Sequence, residues 1–123
     1  ISKVVYTISI GSNEQQKENL SLARKRLKEL FPGIRFSTEE ETKRFISGVH
    51  PIFNQVARFI SSSDAAEITS CLKAIEREAG RMPEEKKQEI VRLDLDLLSC
   101  DDTVYKPDDL KRDYICRGLK EIE

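Results

Sequence analysis

The sequence predicts an α+β fold, an antiparallel sheet with two helices packed on one face. Three observations predict it. Apolar and polar residues alternate over 3–10, 52–60 and 92–98, the two-residue period of a half-buried strand, and 34–38 is a shorter piece of the same kind. Apolar residues recur at helical spacing over about 14–30 and 64–79. The order is strand, helix, strand, strand, helix, strand, with no repeat or low-complexity tract between them.

Each element has a local reason. In Lys3–Ile10, Val4, Tyr6, Ile8 and Ile10 share one face. Gly11-Ser12-Asn13 ends that strand, because glycine permits a tight backbone and Ser or Asn caps the helix that follows. Leu20, Ala23, Leu27 and Leu30 form the apolar stripe of the first helix, which Pro32-Gly33 stops. Its basic run Arg24-Lys25-Arg26 is either an anion site or a solvated helix face. Ile34–Thr38 restarts a strand, and the like-charge run Glu39-Glu40-Glu41 demands exposure. Thr42–Pro51 reads as a loop and holds the only histidine, His50.

Ile52–Ile60 is the third strand. Asn54 is its polar exception, and its amide needs partners either from the backbone or from a ligand edge. Asp64-Ala65-Ala66-Glu67 is a capping box; Ile68, Cys71 or Leu72, Ile75 and Ala79 follow on one stripe, and Gly80 ends the helix. Pro83 can open a short helix within the charged segment 82–91. Beyond the strand at 92–98, Asp101-Asp102 turns the chain, 106–110 reads as a loop, and Asp113–Ile122 is a last short element carrying Tyr114, Ile115 and Leu119. This β-α-β-β-α-β order is the ferredoxin-like pattern, which hosts many unrelated functions.

Composition narrows the classes. A length of 123 residues suggests one domain over 1–123, large enough for a real core. With 35% charged residues and a net charge of -1, neither nucleic acid nor a membrane surface is an expected partner, and any anion site must be local. The three cysteines form no CxxC pair, which argues against a zinc site or a disulfide framework and for a reduced, cytoplasmic chain.

The stretch with most chemistry is Arg92-Leu93-Asp94-Leu95-Asp96-Leu97-Leu98. As a strand it turns Leu93, Leu95 and Leu97 to one face and Arg92, Asp94 and Asp96 to the other. The carboxylates then stand roughly 7 Å apart, two residues of about 3.3 Å rise. Such a pair needs a positive neighbour, either a divalent cation or Arg92 on the same face.

Four motifs in order carry a family resemblance: Ile10-Gly11-Ser12-Asn13, Phe53-Asn54, Ile75-Glu76 followed by Gly80-Arg81, and Leu93-Asp94-Leu95-Asp96-Leu97-Leu98. The chain resembles the hydroxymethyldihydropterin pyrophosphokinases of folate biosynthesis. The resemblance implies a fold that binds ATP, Mg²⁺ and a pterin and transfers the β,γ-diphosphate of ATP to the pterin hydroxymethyl group, releasing AMP. It implies that Asp94 and Asp96 hold metal, two Mg²⁺ by the family pattern, that Arg81 and Arg92 act on the phosphates, and that Glu76, Lys86 and Lys87 lie at the nucleotide. Gly11, Asn54 and Tyr114 fall at the pterin. Small-molecule substrates and a monomer are the expected partners and state.

The chain also departs from that family. Val91 stands where the family has an arginine before the aspartates, and Arg92 follows one place later. Thr42-Lys43-Arg44-Phe45-Ile46 replaces a Thr-Pro-Pro loop, and no Pro-His precedes the tail. Lys86 and Lys87 offer point charges without the planar fork of arginine. The alternative is a degenerate, non-catalytic relative that binds a nucleotide or a protein partner.

Overall fold

A computed structural model describes residues 3–42, 51–88 and 90–123, and of Lys86 the main chain alone. His50 and most of the 42–51 segment lie outside the described residues. The elements are β1 (Val4–Ser12), α1 (Gln16–Leu30), β2 (Arg35–Phe36), β3 (Glu40–Thr42), β4 (Ile52–Ser61), α2 (Ala65–Glu78), a 3₁₀ helix (Pro83–Gln88), β5 (Asp94–Cys100), β6 (Thr103–Val104), α3 (Pro107–Leu110) and α4 (Asp113–Glu121).

The sheet runs β2-β4-β1-β5-β6, with β3 also on β4, and every strand pair among the described residues is antiparallel. This is the ferredoxin-like arrangement, with β1 central between β4 and β5. The second predicted strand is broken in two: only Arg35–Phe36 pairs, and Glu40–Thr42 forms β3 where an exposed charge run and a loop were expected. Glu40 tolerates the strand because the Arg117 guanidinium on α4 neutralises it.

Tyr6, Ile8 and Ile10 on one face of β1 pack with Leu20, Ala23 and Leu27 of α1, Ile68, Leu72 and Ile75 of α2, and Leu93 and Leu95. Each Leu or Ile among them contributes about 1.5–3 kcal/mol of transfer free energy when fully buried. The capping box of α2 forms as the sequence predicts: Asp64 accepts from the Glu67 N–H, and Glu67 reaches back to the Asp64 N–H. Gly80 has φ +91°, the left-handed value that ends a helix at no cost only in glycine.

The opposite face of the sheet is not bare. The last element is α4, and Ile115 and Ile122 pack there on Val56 and Leu98. Gly118 lets the helix approach: a Cβ at 118 would clash with the Val56 side chain. Alternation along β5 puts Leu98 on this face, beside Asp94 and Asp96. A bulge follows, since Ile8 pairs with Leu97 and Thr7 with Ser99. Leu98 is the extra residue.

Candidate active site

The motif Gly11-Ser12-Asn13 acts first as a clamp. The Asn13 N–H donates to Val91 O at 2.8 Å, and the Val91 N–H donates to Asn13 Oδ1 at 2.6 Å. The buried Ser12 hydroxyl donates to Arg92 O at 2.7 Å. The end of β1 thereby fixes the segment that enters β5. Asp94 then lies opposite Gly11, and Asp96 opposite Ser9.

These carboxylates floor a cleft of about 140 Å³ between the sheet and the α3–α4 segment. Gly11, Asn54, Asp94, Asp96 and Tyr114 all line it, so five of the ten residues expected at the site meet at one place. Thr42, Asp109 and Arg112 line it too. The Asn54 amide is oriented by its surroundings. Its Nδ2 donates to Thr42 Oγ1 at 2.7 Å, Ile52 O at 3.2 Å and Glu40 O at 3.3 Å. Two of these are backbone carbonyls, which only the nitrogen can face. The sequence left Asn54 both donor and acceptor roles toward a ligand; in the fold the donor is used internally and Oδ1 is what remains.

Asp96 lies in low-dielectric surroundings. Burial and the neighbouring Asp94 carboxylate push its carboxyl up to about 6, Asp109 adds to the rise, and Lys106 opposes it. Like charges held together on one rigid strand resist double ionisation. A cation relieves that conflict. Among the described residues no three acidic, Cys or His side chains group closely enough to hold a metal by themselves. Two carboxylates with the remaining positions left to phosphate oxygens and water is the donor set that suits Mg²⁺.

The cation against Asp94 is Arg81, not Arg92. Arg81 Nη1 lies 3.1 Å from Asp94 Oδ1, 2.8 Å from Glu76 Oε2 and 3.2 Å from Leu93 O. Its Nε and Nη2 have no hydrogen-bond partner among the described residues. Arg92, expected in register with the carboxylates, precedes β5 and turns instead to Glu85, with Nη2 2.6 Å from Oε2. The strand begins two residues later than the alternation suggested, so the register argument does not reach Arg92.

Glu76 is buried, and burial holds its carboxyl above the usual range despite the Leu95 N–H and Arg81. Its Oε2 accepts from the Leu95 N–H at 2.8 Å. On this edge β5 has no strand partner until Ser99, so the carboxylate takes the partner's place. Lys87 is exposed on the 3₁₀ helix, and the Lys86 side chain lies outside the described residues.

A second, larger pocket of about 520 Å³ lies between α2 and this open edge of β5. Leu72, Leu95 and Leu97 give it apolar walls, and Lys73, Tyr105 and Lys106 also line it. Asp96 lines both cavities. Sequence reasoning missed Asp109 and Arg112, whose i,i+3 ion pair at 3.1 Å was the available signal, and also Tyr105 and Lys106, for which no local pattern stood out.

No curated protein matches the chain. Among solved structures, it is similar to a de novo designed protein with ferredoxin fold determined by solution NMR: 12% identity over 80% of this chain and 87% of the other, with a TM-score of 0.33. A family model described as 7,8-dihydro-6-hydroxymethylpterin-pyrophosphokinase matches residues 7–123. Nearly the whole chain lies within that match, and the protein therefore belongs to the 7,8-dihydro-6-hydroxymethylpterin-pyrophosphokinase family.

Proposed function

We propose that the chain transfers the β,γ-diphosphate of ATP to the hydroxymethyl group of 6-hydroxymethyl-7,8-dihydropterin and releases AMP. The observation that carries this reading is the position of Asp96, which lines both the small polar cleft and the larger pocket. A group handed from a nucleotide in one cavity to a hydroxyl in the other passes the carboxylate pair.

The pterin belongs to the smaller cleft. Asn54 Oδ1 accepts from a ring N–H, Tyr114 offers an aromatic face, and Gly11 keeps the floor low. The nucleotide belongs to the larger pocket, with its base against Leu72 and Leu97. The Leu95 N–H points out of the sheet to Glu76, so alternation turns the Leu97 N–H to the same open edge, within reach of a base.

Asp94 and Asp96 would hold Mg²⁺, two ions by the family pattern. When bound, Mg²⁺ neutralises charge that develops on the transferred diphosphate. Arg81 meets phosphate oxygens with its Nε–Nη2 edge, while Glu76 fixes its other side. Arg112 faces the cleft as a second guanidinium. Lys86 and Lys87 remain as outer phosphate contacts, and Arg92 reaches phosphate on leaving Glu85.

The test is direct. Protein mixed with ATP, Mg²⁺ and the hydroxymethyl pterin should form AMP and the pterin diphosphate in equal amounts. No AMP above background at high protein concentration overturns the reading. One observation favours a second reading, binding without turnover: Glu85 already neutralises Arg92. That reading requires calorimetric binding of Mg²⁺–ATP, weakened by Asp94→Asn, with no AMP formed.

A further inference from the structure

The register of β5 with β6 places Leu98, the extra residue of the bulge, opposite Tyr105. The two N–H groups after β6 donate to the Leu98 carbonyl: Tyr105 N lies 2.9 Å and Lys106 N 3.2 Å from Leu98 O. The connection after β6 is therefore fixed to the strand two residues from Asp96. Its two side chains line the larger pocket.

Tyr105 is 43% exposed although its backbone is held. An aromatic ring kept at a pocket wall on a fixed backbone is a preorganised stacking surface, and stacking on an aromatic ring tolerates any base because every base has a π-face. Lys106 is the opposite kind of group, a compact cation on a flexible stem. It lines the larger pocket together with Asp96. A nucleotide spanning these two neighbours has its base at residue 105 and its anionic end at residue 106.

We infer that Tyr105 and Lys106 are the nucleotide-binding pair of the larger pocket, Tyr105 stacking on the base and Lys106 taking a phosphate oxygen next to Asp96. This rests on the diphosphate-transfer reading, and it assigns roles to two residues that none of the four family motifs contains.

Calorimetry with three probes tests it: adenosine, a non-hydrolysable ATP analogue with Mg²⁺, and inorganic tripolyphosphate with Mg²⁺. Tyr105→Ala should weaken adenosine and the ATP analogue about tenfold and leave tripolyphosphate unchanged, while Tyr105→Phe restores binding. Lys106→Met should weaken the ATP analogue and tripolyphosphate about tenfold and leave adenosine unchanged. Circular dichroism checks that each variant folds, as expected at exposed positions. Binding of the analogue unchanged in both variants overturns the inference alone. So does a loss for Tyr105→Ala that tripolyphosphate shares. If the wild-type protein binds no nucleotide, the diphosphate-transfer reading and this inference fall together.

Discussion

The guanidinium of Arg81 lies 3.1 Å from the carboxylate of Asp94, and the same nitrogen is shared with the buried Glu76. Arg81 is thus the counter-charge of the acidic strand before any ligand arrives, with one edge open among the described residues. Arg81→Met removes both functions. The expected result is a fall of roughly 10²–10³ in the rate of AMP formation, the cost of losing one preorganised electrostatic donor. Arg81→Lys should recover only part of it, because an ammonium cannot bridge three acceptors and a phosphate in one plane. Single-turnover kinetics at saturating ATP makes the measurement.

Asp96 titrates in the wrong range for an isolated carboxyl. Its pKa is raised in the fold from 3.8 to about 6 by burial first and Asp94 next. A raised folded value means a contribution to stability that is complete below the unfolded pKa and lost as pH rises through the folded one. In metal-free protein, Asp96→Asn should therefore match wild type near pH 3.8 and become the more stable of the two above about pH 6. Urea unfolding across that window reads the difference. Asp94→Asn should bring the Asp96 titration, followed by carboxyl NMR, back toward the ordinary range.

Asn13 holds the entry to β5 through both main-chain groups of Val91. Asn13→Ala keeps one of these bonds and orphans the Val91 N–H. A partly buried donor without a partner costs about 1–3 kcal/mol. A lower urea midpoint with an unchanged slope is expected, together with weaker Mg²⁺–ATP binding because the carboxylates lose their fixed approach.

Gly118→Ala should destabilise the protein by about 1–3 kcal/mol through overpacking against Val56. The thermal midpoint reports it. Gly33→Ala is the control, since no atom lies within 4 Å of a Cβ there.

The parts of the fold that declare themselves in sequence are those governed by periodicity and caps. The stripe of α1 as far as Leu27, the capping box at Asp64 and the alternation of β1, β4 and β5 were legible for that reason, whereas Leu30, expected on the same stripe, is exposed. The helix α4 was harder, because nine residues make little more than two turns, and its cover of the second sheet face depends on Val56 and Leu98 far away in the chain. At the site, Asp94 and Asp96 were visible as a motif, and Asn54 as a polar residue in an apolar strand. Which arginine faces them was not visible. Strand parity favoured Arg92, but the strand starts at Asp94 and Glu85 claims Arg92 first. The contacts of Arg81 cross from the end of α2 to β5, and no local pattern encodes such a meeting.

The face of β5 that carries Asp94 and Asp96 also carries Leu98, on which α4 rests. One parity therefore serves both the acid floor and the helix above it. Insertion or deletion of a single residue between Asp96 and Leu98 cannot satisfy both: one partner or the other is rotated into the wrong layer. Substitutions can drift along this strand, but its length between those residues is locked, and related chains that keep the cleft should show no gap there.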